Sequence, residues 1–214
     1  MKTFAEIAFT PAVRALQSAQ GSRAAYARMQ AAAEPGEGLG ARETEFLSNA
    51  DSFYMATVSE TGWPYVQHRG GPPGFLKVVS PARVAFADFG GNRQYITTGN
   101  LAENPRAMIF LMDYQNRQRV KIWGTARVVE HDAELNARLF PEGYKARAEA
   151  VILFTIEAWD ANCPQHIPQM LFAEDVARVV DELKDRVIQL EAENARLRGA
   201  LSDSKLHSSE GQGQ

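Results

Sequence analysis

Residues 107–130 read AMIFLMDYQNRQRVKIWGTARVVE, and this stretch decides the fold. From Arg119 onward, two sets of residues alternate with the period of two of a β-strand. One set is mainly apolar, with Val120, Ile122, Gly124, Ala126 and Val128, and the other is Arg119, Lys121, Trp123, Thr125 and Arg127. An apolar run precedes it at 107–113, and only the polar loop 114–118 separates the two. Parallel pairing would need a crossover of about a dozen residues or more, so the two runs predict an antiparallel hairpin.

The rest of the middle of the chain shows the same organisation. Two β-rich runs flank a glycine-containing turn at 60–63, which predicts another hairpin. The predicted strands outside the first hairpin are 53–59, 65–69, 76–79, 83–88 and 151–159. Short connections of this kind predict a mainly β protein with helical additions, built on an antiparallel sheet or small barrel over residues 51–168.

Residues 1–50 predict a helical arm that precedes the sheet. Thr10 followed by Pro11 is typical of a helix N-terminus, and a second helical segment begins at Ser22. Three glycines and a proline at 34–40 interrupt the helical pattern, and a further short helix is predicted at 42–49. The arm is interpreted as a cover packed on the sheet, with a lid over a substrate as the alternative.

The C-terminal region carries a heptad repeat over 172–201. Val180, Val187, Asn194 and Leu201 take the a positions, and Val176, Leu183, Leu190 and Leu197 take the d positions. Valine at a with leucine at d favours two parallel helices, and a single asparagine at a fixes register. The repeat therefore predicts a parallel dimeric coiled coil, followed by a polar tail at 202–214 that is predicted to be disordered.

Charges beside the repeat agree with pairing between two copies. In a parallel dimer each g residue faces the e residue five positions further on in the partner helix. Here those pairs are Arg186 with Glu191 and Glu193 with Arg198, both of opposite sign. The alternative is an amphipathic helix that packs on its own domain.

Composition and charge exclude several classes of partner. The chain has 23 lysines and arginines against 26 acidic residues, a net charge of −3, so no overall positive field attracts nucleic acid. Cys163 is the single cysteine, which fits a reducing cytoplasm. A glutamate interrupts the N-terminal apolar stretch that a signal peptide needs, and no uncharged apolar run reaches about 18 residues. We expect a cytoplasmic protein with no membrane partner.

Two loops are candidates for ligand binding. At 67–74, glycines allow close backbone approach to a flat ligand, Gln67 has amide donors and Arg69 suits an anionic group. At 88–95, Asn92, Arg93 and Gln94 follow two glycines and precede a predicted helix at 97–104, an arrangement that suits a phosphate monoester. This second loop lacks the spacing of the known nucleotide-binding motifs, so a purely structural turn is the alternative.

The segment 159–168 is a third candidate, with Asn162, Cys163, Gln165 and His166 in a loop stiffened by prolines. A nucleophilic cysteine needs a base within hydrogen-bond reach, and residues three apart in an extended loop do not ensure that geometry. We therefore interpret these four as contacts to a ring or substrate. The four histidines of the chain are too scattered to predict a metal site.

Taken together, these segments resemble the pyridoxamine 5′-phosphate oxidase-like flavoproteins. The resemblance is carried by FYMATVSETGWPYVQHRGGPPGF at 53–75, by GGNRQ at 90–94, by ENPR at 103–106 and by VKIWGTA at 120–126. The NCPQH segment at 162–166 is similar to one branch of the family. The similarity covers about residues 45–168, so it includes neither most of the arm nor the heptad repeat.

The resemblance implies a split β-barrel homodimer that holds flavin mononucleotide (FMN) between its subunits. It places Gln67, His68 and Arg69 along the flavin ring and ribityl chain, Ala87 and Asp88 at further flavin contacts, and Asn92, Arg93 and Gln94 at the phosphate. Arg119 matches a position near the ring. Gln94 stands where the resemblance would place a lysine, and the GPPG run at 71–74 replaces another.

The function implied is that of an FMN-dependent oxidoreductase acting on a small molecule. The family's own substrate-recognition residues have no identifiable counterparts, so pyridoxamine phosphate oxidation is not predicted. The alternatives are a non-catalytic dimer on the same barrel, which senses or carries a flavin or haem, and a scaffold built on the heptad repeat.

Overall fold

The computed structural model describes residues 1–33, 36, 38–162 and 164–210, without the side chains of 162 and 202–210. The chain divides into two compact units, Met1–Pro168 and Gln169–Gln214. Within the described residues, no helix combines the length and the apolar character that crossing a membrane requires.

The first unit is built on a sheet of seven antiparallel strands. In chain order the strands are β1 (Ser52–Val58), β2 (Pro64–Gly70), β3 (Lys77–Ser80), β4 (Arg83–Phe89), β5 (Arg106–Asp113), β6 (Gln118–Glu130) and β7 (Ala148–Asn162). Their order across the sheet is β2-β1-β5-β6-β7-β4-β3. The two predicted hairpins are present, β3 and β4 form a third, and the last strand is longer at both ends than the predicted 151–159. The predicted mainly β split barrel with helical additions is confirmed.

Six helices of this unit lie between or before the strands. They are α1 (Phe4–Ala8), α2 (Pro11–Ala19), α3 (Arg23–Ala32), α4 (Ala41–Ser48), α5 (Ile96–Glu103) and α6 (Ala133–Leu139). Thr10 caps α2 as predicted, because its hydroxyl accepts from the Val13 amide at 3.4 Å. The arm contacts the outer face of the sheet: the rings of Phe4 and Trp123 stack at 6.4 Å, and Lys2 pairs with Glu157 at 2.8 Å.

Alternation along the strands sorts side chains into an inner and an outer face. Phe53, Met55 and Thr57 of β1 are buried, whereas Tyr54 between them is exposed. Cross-strand neighbours share a face, so Arg69 opposite Phe53 and Gln67 opposite Met55 also point inward. The inner face supplies the main core, which includes Phe53, Met55, Val84, Phe86, Ile109, Leu111, Ile122, Ile152 and Phe154.

An ion pair and an aromatic contact join the two ends of the sheet. Strand β2 is at one edge and β4 lies next to the other, yet the Arg69 guanidinium of β2 pairs with the Asp88 carboxylate of β4. The neighbouring Phe53 and Phe86 rings meet edge-to-face at 5.0 Å. These contacts close the sheet into a barrel around the core.

A β-bulge in the two longest strands needs a glycine. The register shifts from Trp123 opposite Ala158 to Gly124 opposite Ile156, which leaves Glu157 as the extra residue. The β7 backbone comes so close there that a Cβ on Gly124 would lie 2.0 Å from the Thr155 carbonyl oxygen. Gly124 therefore allows the sheet to bend at this point.

The second unit contains one long helix, α7 (Ala173–Glu210). It begins within a residue of the predicted start, and its backbone continues beyond the predicted end at Leu201. Part of the segment predicted to be disordered is therefore helical, and residues 211–214 lie outside the described residues. The a and d side chains named above, Asn194 aside, are between 39% and 61% exposed.

We expect Gly124→Ala to destabilise the protein by about 1–3 kcal/mol or more, because the added methyl overlaps backbone that cannot move without breaking the β6–β7 register. Urea unfolding measures the change. Gly99→Ala is the matched control, since nothing lies within 4 Å of its added Cβ and α5 gains about 0.5–1 kcal/mol of helix propensity. Equal stability of Gly124→Ala and the wild type would show that the strands do not approach in this way.

Removing one partner of the closing ion pair leaves a mostly buried charge alone. Asp88→Ala is expected to cost about 3–5 kcal/mol of unfolding free energy, measured by chemical denaturation. The double variant Arg69→Met with Asp88→Leu is expected to recover most of that loss, because no charge then remains in the barrel wall. A change below about 0.5 kcal/mol in the single variant would argue against the closure, since that is the size of ordinary surface effects.

Candidate functional site

Strands β2 and β4 and helix α5 meet at one place in the barrel. The Arg69–Asp88 pair joins the two strands, and the Thr97 hydroxyl of α5 donates to Gln67 Oε1 of β2 at 2.6 Å. The loop 90–95 connects β4 to α5. The structure thus brings Gln67, Arg69 and Asp88 together with the loop that contains Asn92, Arg93 and Gln94.

The Arg69–Asp88 pair is mostly buried, with the two side chains 11% and 18% exposed. Burial raises the pKa of the Asp88 carboxyl above its ordinary value, and this effect outweighs the opposing one of the Arg69 guanidinium. The Arg69 guanidinium also lies 5.9 Å from the Phe86 ring centroid. Its Nε is buried and has no hydrogen-bond partner in the described part of the chain, so this donor is unsatisfied there.

Polar contacts that the sequence did not predict hold α5 against the barrel. Besides the Thr97–Gln67 bond, Asn100 Nδ2 donates to the Thr57 hydroxyl at 3.0 Å in a buried environment. Thr57, Thr97 and Asn100 are all buried. Polar residues at positions that face the core can be recognised in a sequence. Their partners cannot, because they lie 30 and 43 residues away in the chain. These bonds fix where α5 begins.

The loop before α5 is closed on itself by amide side chains. The backbone N–H of Gln94 donates to Asn92 Oδ1 at 3.1 Å, and the side-chain Nδ2 of Asn92 donates to Gln94 Oε1 at 3.3 Å. Arg93 and Tyr95 both take left-handed backbone conformations, with φ of 60° and 52°. Asn92 and Gln94 therefore shape the loop, while Arg93 turns its side chain out of it.

Arg93 and the start of α5 form a site with anion-binding character. The Arg93 side chain is 68% exposed, and its Nε lies 3.7 Å from Glu149 Oε1. Helix α5 has no side-chain N-cap bond and no acidic residue in its first turn. Amides at the start of a helix attract anions, so Arg93 and the first turn of α5 together give this loop a positive character.

Other predicted contacts lie on the opposite face. His68 is exposed and meets the Tyr54 ring edge-to-face at 5.6 Å. Arg119 alternates with the buried Val120 and also faces outward, opposite Asn162 of β7; its Nε is buried without a partner among the described residues. Ala87 is on this face too, in β4 beside the small cluster of Ala85, Leu139 and Val151. The chain alone does not bring these residues to the Arg69–Asp88 pair.

The third candidate segment is only partly described. Gln165 and His166 are exposed, and His166 takes a left-handed conformation with φ of 64°. Ile167 is buried, and its amide donates to the Pro164 carbonyl at 3.1 Å, so the segment is a turn anchored by Ile167. Cys163 and the side chain of Asn162 lie outside the described residues. Within the described residues, no three histidine, cysteine or acidic side chains cluster as metal ligands would.

Solved structures share features of the fold at low identity. HupZ of Group A Streptococcus is 17% identical, with 62% of this chain and 100% of that chain covered and a TM-score of 0.48. A protein related to general stress protein 26 from Clostridium acetobutylicum is 15% identical (61% and 91% covered, TM-score 0.45), and an FMN-binding protein from Syntrophomonas wolfei is 12% identical (68% and 97% covered, TM-score 0.44). Similarities of this size say nothing about ligand or activity.

No curated protein matches the chain. The family model for pyridoxamine 5′-phosphate oxidase, in contrast, matches residues 40–163, more than half of the chain. The matched range contains all seven strands, the closing ion pair and the Arg93 loop. The chain therefore belongs to the pyridoxamine 5′-phosphate oxidase family.

Proposed function

We propose that the protein is an FMN-dependent oxidoreductase that works as a homodimer in the cytoplasm on a small-molecule substrate. The observation that carries the proposal is the loop between β4 and α5, where Arg93 and an uncapped helix N-terminus form a site for a phosphate group. Membership of the family supports the choice of ligand.

The residues present fit FMN in two further respects. The flavin ring has carbonyl oxygens and ring nitrogens that accept hydrogen bonds, and Nε of Arg69 and of Arg119 are buried donors that lack partners in the described residues. Gln67 is hydrogen-bonded to Thr97 in the first turn of α5, which would hold the phosphate, and Arg69 lies two residues further along the same face of β2. We assign Arg93 to the phosphate and Gln67 and Arg69 to the ring and ribityl side.

Bound FMN would supply hydride or electron transfer, while the chain binds and orients it. In this proposal Asn92 and Gln94 hold the loop in shape, and the Thr97–Gln67 bond fixes the start of α5 relative to β2. We assign no side chain as an obligatory acid or base.

A second copy of the chain is needed to complete the site we propose. His68 and Arg119 are on the outer face, opposite to Arg69 and Asp88, so a single chain cannot place all four on one flavin. Tyr54 and Val66 on the same outer face are 39% and 59% exposed. A dimer that covers this face would combine the inner residues of one copy with the outer residues of the other.

The heptad repeat of α7 supports the same two-fold assembly. Charges alone do not set the direction of the helices: an antiparallel pair would match Arg186 with Glu193 and Lys184 with Glu191 of the second copy. The direction is set by Asn194. In that antiparallel register it faces Leu183, where its amide has no partner, whereas in a parallel pair it faces Asn194 of the second copy and can hydrogen-bond to it.

Arg93→Ala is expected to weaken FMN binding by about 1.5–3 kcal/mol, or about 10- to 150-fold in Kd, because a charged hydrogen-bond donor to the phosphate is lost. Quenching of flavin fluorescence during titration measures Kd. Arg28→Ala removes an exposed arginine from α3 and is the control, with unchanged binding expected. An unchanged Kd for Arg93→Ala would place the phosphate elsewhere.

Turnover separates an enzyme from a sensor on the same barrel. The FMN complex is expected to be reduced by NADH, NADPH or a comparable donor and reoxidised by oxygen or a quinone, followed through the flavin absorbance in stopped flow. A complex that binds FMN tightly but exchanges electrons with none of these would favour the non-catalytic alternative.

Asn194→Val is expected to raise the melting temperature of α7 pairing and to loosen the preference for two parallel helices, because the buried amide that selects them is removed. Analytical ultracentrifugation of the full chain, together with thermal unfolding, reads out both effects. Ala195→Val adds the same side chain outside the seam and should produce neither. A variant that remains strictly dimeric with an unchanged melting temperature would contradict the coiled-coil assignment.

A further inference from the structure

A second β-bulge places a carboxylate beside the Arg93 loop. Asp88 of β4 lies opposite Ala150 of β7, and Phe89 lies opposite Ala148, so Glu149 is the extra residue between them. Bulges bend a strand and redirect side chains, and they are common beside functional sites. The Gly90 amide donates to the Arg147 carbonyl at 2.8 Å, which fixes the start of β7 against the loop.

The Glu149 side chain faces the loop. Its Oε1 lies 3.7 Å from Arg93 Nε and is also the atom that a Cβ on Gly90 would meet, at 3.2 Å. Its side chain is 28% exposed, less than half the exposure of Arg93. Glu149 also lies near enough to Asp88 to contribute to the raised pKa of that carboxyl. The bulge therefore holds a negative charge at the place where we propose that a phosphate binds.

The charges of the loop show what this contact does. Between Gly90 and Tyr95, Arg93 is the one basic residue of the sequence, and the position after it is Gln94. Glu149 offsets the charge of Arg93. A phosphate that binds the remaining N–H groups of the Arg93 guanidinium comes close to this carboxylate. Two like charges about 4 Å apart repel each other by about 1 kcal/mol even in water.

We propose that Glu149 is a specificity-determining residue. It pairs with Arg93 in the ligand-free protein, and it lowers the affinity for a flavin that carries a phosphate but not for one that lacks it. This inference rests on the proposed FMN site. With Glu149 beside Arg93, the phosphate contributes less to the binding free energy than it would beside Arg93 alone. Contacts to the flavin ring then supply a larger share of that free energy.

The test compares FMN with riboflavin, which has the same ring and ribityl chain but no phosphate. Both are titrated into full-length wild type and Glu149→Gln by fluorescence quenching. Glu149→Gln keeps the size of the side chain and removes its charge, so we expect the Kd for FMN to fall about fivefold or more. The Kd for riboflavin should change less than about twofold, because no phosphate is present.

Two further variants make the result decisive. Glu157→Gln neutralises another β7 carboxylate, paired with Lys2 far from the loop along the strand, and should leave both constants unchanged. Glu149→Ala should shift the preference for FMN in the same direction as Glu149→Gln and serves if the glutamine variant unfolds. Thermal unfolding confirms that each variant is native.

The outcomes distinguish this inference from the proposed function. If wild type binds riboflavin and FMN and the Glu149 variants leave their affinity ratio unchanged, or weaken FMN selectively, the assignment of Glu149 is wrong while FMN binding stands. If neither wild type nor the variants bind either flavin, the proposed function fails and this inference fails with it.

Discussion

The ion pair between Arg69 and Asp88 is the contact on which the rest of the first unit depends. It links strands at opposite ends of a seven-strand order, and the inner-face aromatics Phe53 and Phe86 meet beside it. The pair is mostly buried, and because the cost of taking two charges out of water offsets most of their attraction, it is not a large source of net stability. Its contribution is geometric: it sets the end of β4, and therefore where the loop before α5 starts.

From that closed barrel, bulges and polar bonds position the site. Gly124 allows β6 and β7 to bend, and the Glu149 bulge brings the start of β7 to the loop. Thr97 and Asn100 then tie α5 to the first two strands. As a result, Arg93 lies in the loop directly before the N-terminus of α5. The outer face of the barrel still has exposed aromatic and apolar side chains, such as Tyr54 and Val66. In our proposal a second copy covers that face, and the α7 repeat supplies an independent reason for pairing.

Much of this architecture could be predicted from the sequence because it depends on local patterns. The period of two in β6, the short hairpin loops and the Thr10–Pro11 helix start are all encoded within a few residues. The pairing of Arg69 with Asp88, the Thr97–Gln67 bond and the position of Glu149 beside Arg93 are not encoded locally. They depend on which strands become neighbours and on one extra residue in β7, and a shift of one residue moves a side chain to the other face. The resemblance groups His68 and Arg119 with Arg69 at one flavin, and because the strands of one chain place them on opposite faces, that prediction requires a second copy.

A crystal structure of the full chain with FMN tests the central claim most directly. The account predicts one flavin between two copies of the barrel, with its phosphate at Arg93 and the first turn of α5, and its ring beside Arg69 of one copy and Arg119 of the other. Density for a flavin elsewhere, or a phosphate without contact to Arg93 or α5, would contradict it. A crevice that stays empty at saturating FMN would contradict it equally.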